Sequence, residues 1–190
     1  MKVTKKQALA NRAHVVETAS ALFRERGFDG VGIAELMATA GFTQGGFYKH
    51  FDSKADLMAE SSACGMSRSA ALTVGASLSE FVTVYLSREH RDDRASGCTM
   101  AALCGDAARK EEQIRATFAE GIEAQLSVLK DGEGDQSATD SSDLRARLLS
   151  VMAHSLGAVI MSRACPDDSA LADEILAACR DAILKVAKPS

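Results

Sequence analysis

The fourteen residues from Gly41 to Lys54, Gly-Phe-Thr-Gln-Gly-Gly-Phe-Tyr-Lys-His-Phe-Asp-Ser-Lys, hold two helix starts, a tight turn and a polar face. Short helices must therefore meet here at close corners, with aromatic residues holding the middle one from one side only.

The pattern begins one helix earlier. From Asn11 to Arg26, Val15, Ala19, Leu22 and Phe23 recur on one helical face, with Arg, Glu and Asn on the other. Gly27 supplies a left-handed residue to end that helix, and Phe28 falls where it packs back on Phe23. Ile33, Leu36, Met37 and Ala40 predict a second, short helix, entered through a Val31/Leu36 staple and stopped by Gly41-Phe42. Thr43 then offers a hydroxyl to cap a third helix, with Phe42 and Phe47 in the two positions of a hydrophobic staple. In that helix Phe47 and Phe51 face inward, leaving Gln44, Gly45, Tyr48 and Lys49 toward solvent. Ser53 and Asp56 form a capping-box-like pair that opens a fourth helix, with Lys54 at its first position and free to reach a phosphate oxygen.

Taken together, Gly41, Thr43, Phe47-Tyr48, His50-Phe51 and Ser53-Lys54 resemble the motif of the tetracycline-repressor (TetR) family of bacterial transcription regulators, over roughly residues 11 to 58. The resemblance implies an all-α chain of about nine helices. A three-helix, helix-turn-helix DNA-binding domain would occupy residues 1–52, and a helical ligand-binding and dimerisation domain residues 53–190. It makes Thr43, Gln44, Gly45, Tyr48, His50 and Lys54 the expected DNA contacts, with Lys49 on the same exposed face. The implied partners are double-stranded operator DNA, a small-molecule effector and a second copy of the chain. Gly32 departs from the pattern, standing where many members have a Thr or Ser that caps the second helix and touches a phosphate.

The chain has 190 residues, enough for a small reader and a larger body, and only two prolines, Pro166 and Pro189, interrupt it. A net charge of −4 excludes a protein that coats nucleic acid through bulk positive charge. Residues 1 to 60 nevertheless carry eight Lys or Arg against seven Asp or Glu. Their basic tip, Lys2, Lys5, Lys6 and Arg12, reads either as a flexible arm along DNA phosphates or as a solvated tail. No apolar run approaches the roughly 20 residues of a membrane span, and no apolar signal core follows the basic start. A cytoplasmic protein is expected.

Five cysteines, Cys64, Cys98, Cys104, Cys165 and Cys179, make neither a disulfide framework nor a zinc-ligand spacing. The four histidines, His14, His50, His90 and His154, show no metal spacing, and no phosphate loop or catalytic triad can be assembled. Neither metal, cofactor nor enzymatic activity is expected.

Downstream, helices are expected from Ser53 to about Leu72, Leu78 to Ser87, Cys98 to Arg109 and Lys110 to Lys130, with a charged loop at Arg88–Arg94 and a mobile loop at Asp131–Ser142. Two more follow. Leu148, Val151, Met152, Ser155, Val159 and Met161 populate one, and Leu171, Ile175, Ala178, Cys179, Ala182, Ile183 and Val186 stripe the other. The resemblance implies that this pair meets its copy in a four-helix dimer bundle. Met66, Phe81, Tyr85, Cys98, Met100, Phe118 and Met152 are the candidates to line an effector cavity, or else ordinary core.

The segment around Gly97-Cys98 is similar to one found in a subgroup of the family, some members of which sense electrophiles through such a cysteine. If Ser96 caps the following helix, Cys98 lies in its first turn near His90, Arg91 and Arg94, where a thiolate is stabilised. A cysteine-based redox or electrophile sensor acting as activator, or a thiol-dependent enzyme, is the alternative to a ligand-released repressor. Cys98 and Cys104 cannot bridge within one helix, being about 9 Å apart along its axis.

Overall fold

A computed structural model describes residues 4–133 and 141–187; the stretch 134–140, which holds most of the expected mobile loop, and Lys2 lie outside the described residues. Within them the chain is all-α. Nine α-helices and one 3₁₀ turn follow in the order α1 Lys5–Arg26, α2 Ile33–Thr39, the turn Gln44–Lys49, α3 Lys54–Leu72, α4 Leu78–Tyr85, α5 Arg88–Asp92, α6 Thr99–Ala107, α7 Glu112–Gly132, α8 Ser141–Ala164 and α9 Ala170–Ala187. The chain divides into two compact units, residues 1–68 with 98–121, and residues 69–97 with 122–190.

In the first unit, the helix stops predicted from glycine are present, each with its own geometry. Gly41 has φ +79, and the amides of Gly41 and Phe42 donate to Ala38 O and Met37 O at 3.0 and 2.8 Å, closing α2 with a Schellman pair. Gly27 has the expected positive φ of 75 but an extended ψ of 167 in place of the left-handed helical value. A Cβ there would stand 2.7 Å from Asp106 Oδ2, so glycine is required twice over. Phe28 does pack on Phe23, ring centroids 5.3 Å apart at 72°, and both are fully buried. The basic tip is corrected: Lys5, Lys6 and Arg12 lie inside α1, which Thr4 caps by accepting from Gln7 N.

The second unit overturns the charged loop at Arg88–Arg94. Ser87 caps a short helix there by accepting from His90 N at 3.2 Å, and Arg91 is 1% exposed. Its guanidinium donates to Ser162 Oγ at 3.1 Å, to the carbonyls of Ser162 and Cys165 at 3.0 and 3.2 Å, and to Asp167 at 3.0 Å. Arg163 reciprocates by donating to Arg91 O at 2.8 Å and His90 O at 3.1 Å. The buried charge thus adds charge-assisted donors at the end of α8, where the Ser162 carbonyl also accepts from Cys165 N at 3.2 Å. A charge-rich run of sequence hides this, because apart from Asp92 the groups that Arg91 binds lie 71 to 76 residues away.

Helices α8 and α9 pack along each other and α4 lies against α9. The apolar residues of α8 do not all turn inward. Leu148, Met152, Ser155 and Val159 are buried, whereas Leu149, Ile160 and Met161 are 40%, 45% and 59% exposed. On α9, Ala172, Leu176 and Ile183 are buried and Leu171 is 53% exposed, with Ala178 and Ala182 beside it in solvent. The stripe expected from sequence is therefore corrected at Met161, Leu171, Ala178 and Ala182, which form an outer face. Two apolar faces also make Ser142–Ala164 long and apolar enough to cross a membrane by length and composition, against the expectation that no such run exists.

Replacing Arg91 with alanine removes the guanidinium donors to the Ser162 hydroxyl and to the Ser162 and Cys165 carbonyls. The expected loss is about 2–4 kcal/mol of unfolding free energy, measured by urea denaturation; an unchanged midpoint would contradict the role given to Arg91.

Candidate nucleic-acid interface

The reading element is built from buried aromatic residues. Phe47 is 0% and Phe51 2% exposed, their centroids 5.4 Å apart, and α2 packs against the turn that carries Phe47. Burial of each ring contributes about 2–3 kcal/mol and fixes which side of the turn faces outward. Thr43, Gln44, Gly45, Tyr48 and Lys49 are exposed, Tyr48 by 70%, and Gly46 and His50 are half-buried.

Its geometry differs from the expected α-helix capped by Thr43. Gly46 N donates to Thr43 O and His50 N to Phe47 O, both at 2.9 Å, which is the tighter 3₁₀ pattern, and the Thr43 side chain accepts no capping bond. Two consecutive glycines, each about 1 kcal/mol worse than alanine in a helix, account for the failure to form a full α-helix.

Six contacts that sequence reasoning missed hold this element and the loop before α2. Arg12 Nε donates to His50 O at 3.1 Å, its Nη1 pairs with Glu60, and its guanidinium lies 4.7 Å from the Phe51 ring. Phe28 is clamped at both ends: Asp106 accepts from its amide at 3.0 Å, and Lys54 Nζ donates to its carbonyl at 2.6 Å. Lys110 pairs with Asp29 in the same loop and holds the Asp29 carboxyl below its ordinary pKa. Nothing local in the sequence signals Asp106 or Lys110, since their partners lie about eighty residues earlier. Lys54 is correspondingly not the free cation expected from sequence; one of its three N–H groups donates to Phe28 O, and two remain among the described residues.

The Ser53 cap is present, accepting from Asp56 N at 3.0 Å, while the Asp56 carboxylate accepts from Asp52 N at 3.4 Å and not from Ser53. At α2, Gly32 is the N-cap residue with no side-chain bond, and its staple partners Val31 and Leu36 are both buried.

The remaining candidate residues divide between the units. Met66, Met100, Phe118 and half-buried Cys98 belong to the first; Phe81, Met152 and half-buried Tyr85 belong to the second. Phe81, Tyr85 and His90 stack in sequence, with centroids 5.1 and 4.3 Å apart, and His90 Nδ1 bonds Tyr85 O at 2.7 Å. Burial pushes the His90 pKa down.

Cys98 needs two corrections. It is the N-cap residue of α6 and not part of its first turn, because the amide and hydroxyl of Ser96 both bind the Asp93 carboxylate. Of the residues expected to favour a thiolate there, Arg91 is committed to Ser162 and Asp167, and the buried His90 ring bonds Tyr85 O. All five cysteines are free thiols, and burial pushes Cys104 up to about 11. No group of His, Cys, Asp and Glu among the described residues is arranged to hold a metal.

The exposed polar turn on a buried aromatic base, entered from a glycine-closed helix, defines a helix-turn-helix. Residues 15–60 match the family model for bacterial regulatory proteins of the tetR family. Over 57 residues the chain is 37% identical to the HTH-type transcriptional regulator AcrR of Shigella flexneri, covering 30% of this chain and 26% of that one. It is 38% identical over 55 residues to the HTH-type transcriptional regulator TtgR of Pseudomonas putida, covering 29% and 26%. These matches thus span about a quarter of each curated relative. Along nearly its whole length the chain has the fold of TetR-family regulators. The reduced form of NemR from E. coli superposes with a TM-score of 0.74 at 20% identity, covering 93% of this chain and 96% of that one. A TetR-family regulator from Cytophaga hutchinsonii gives 0.72 at 18%, covering 97% and 98%.

A serine at position 32 has open space around it and places Glu35 in the third helical position of a capping box. Gly32→Ser is expected to stabilise the chain by a few tenths of a kcal/mol and to tighten DNA binding by adding a phosphate contact. Thermal unfolding and fluorescence anisotropy on duplex DNA check the two effects.

Proposed function

We propose that this chain is a dimeric DNA-binding transcriptional regulator, acting as a repressor that leaves its operator when a small molecule binds the body. The observation that carries the reading is the outward set Thr43, Gln44, Gly45, Tyr48 and Lys49 on the Phe47/Phe51 anchor, within the segment that matches the tetR family. Amide, hydroxyl and phenol groups suit base edges in a major groove, while Lys49, the two uncommitted N–H groups of Lys54 and the His50 ring suit phosphates. The basis of affinity is local, since the chain as a whole is acidic.

The second copy is supported by the outer face of Leu149, Ile160, Met161 and Leu171, with Ala153, Gly157 and Ala178 available for close helix approach. A contiguous apolar face on a helix pair is covered more favourably by protein than by water. A face covered in this way also makes α8 a dimer helix, in keeping with a cytoplasmic protein. Two readers then address two half-sites, which a short reading element needs for specificity. Release requires the ligand to prefer one arrangement of the dimer, because equal affinity for both shifts nothing. Helix α3, beginning at Lys54, is the element through which that preference reaches the reader.

Tyr48→Ala is expected to weaken binding to a duplex selected by the wild-type protein from a randomised library by roughly tenfold or more, with the dimer intact by sedimentation. Unchanged affinity, or dissociation of the dimer, would contradict the assignment of Tyr48.

Electrophile release through Cys98 is the second reading, favoured by its half-buried place at the start of α6 and by the whole-chain likeness to NemR. Exposing the DNA-bound protein to N-ethylmaleimide is expected to release wild type and spare Cys98→Ser. An equal response of both, or none, leaves only the small-molecule version.

A further inference from the structure

Most glycines of the first unit answer to the fold. A Cβ at Gly27 would meet Asp106, one at Gly65 would run into Ser20, Arg24 and Thr99, and one at Gly121 into Met66, while Gly41 has φ +79. Gly45 answers to none of these demands. Its φ is not positive, it is exposed, and a Cβ built on it meets nothing within 4 Å. Glycine also weakens the turn it sits in, because it is a poorer helix former than alanine. The next residue, Gly46, is half-buried and a Cβ there makes ordinary contact with Met37 Cε at 3.7 Å. Openness alone does not single out Gly45, since Gly105 in α6 is equally open. Its place does: Gln44 precedes it in sequence, and 70%-exposed Tyr48 follows one turn later on the element whose other side Phe47 buries.

We propose that Gly45 is where the backbone of the reader comes into van der Waals contact with the duplex, so that its missing side chain is a requirement of DNA and not of the fold. Glycine is the residue that permits such close backbone approach. A methyl group there would hold the turn off the groove, and the hydrogen bonds of Gln44 and Tyr48 to base edges need donor–acceptor distances of about 2.7–3.2 Å. Gly45 therefore sets the depth at which the polar side chains read. This inference rests on the DNA-binding reading above and adds to it the reason for a glycine that the free protein does not need.

The test uses the full chain, a duplex selected by the wild-type protein from a randomised library, and the variants Gly45→Ala and Gly105→Ala. Both substitutions are expected to raise Tm by about 1–3 °C, since alanine favours the helix at each site. Only Gly45→Ala is expected to lose affinity, by roughly tenfold or more. Stability and affinity then move in opposite directions at one position and not at the other. If Gly45→Ala binds as tightly as wild type, the inference is overturned and the DNA-binding reading stands. If it lowers Tm, the glycine serves the fold and the inference again falls. If the wild-type protein selects no duplex, the functional reading itself fails and takes this inference with it.

Discussion

Burial of Phe47 and Phe51 beneath a six-residue turn is the constraint on which the reader depends. A short 3₁₀ segment containing two glycines has little intrinsic stability. Its conformation is set by the two rings and by α2 packed against it, and Arg12 secures its far end through the His50 carbonyl. With one side sealed this way, the polar side chains have only the outward direction left. The same rings that stabilise the unit therefore also expose the groups that would touch DNA.

The clamp on Phe28 extends this logic to the loop that precedes the helix-turn-helix. Its amide is held by Asp106 of α6 and its carbonyl by Lys54 of α3, so the loop's position is tied to two helices at once. Any displacement of α6 or α3 must either carry Phe28 with it or break a hydrogen bond to a charged group, which costs about 1.5–3 kcal/mol. Lys54 has two roles in the proposed mechanism: it holds the loop and keeps two N–H groups for phosphate.

Local features of this chain were legible because their causes lie within four or five residues. Gly41-Phe42 closes α2, Ser53 caps α3, and the inward set Val15, Ala19, Leu22 and Phe23 follows from helical spacing alone. The outward placement of Gln44 and Tyr48 followed from the same periodicity. Local reading failed where a distant or competing partner decides. Asp106 takes the Phe28 amide from 78 positions away, Asp93 claims Ser96 from the α6 cap, and Arg91 is buried by carbonyls of α8. Helical periodicity also names the apolar residues of α8 and α9 without saying which face turns inward. α8 carries apolar residues on two faces, and its packing on α9 is what separates buried Val159 from Ile160, 45% exposed.

For this chain to read DNA, the exposed edge of the 44–49 turn must enter a groove of the duplex. Amide hydrogen exchange of the full chain, with and without a duplex selected from a randomised library, tests this most directly. Protection is expected at residues 43–50, with the outer face of α8 and α9 unchanged because the proposed dimer covers it with or without DNA. Slowed exchange elsewhere with residues 43–50 unaffected would contradict the proposed role of the turn.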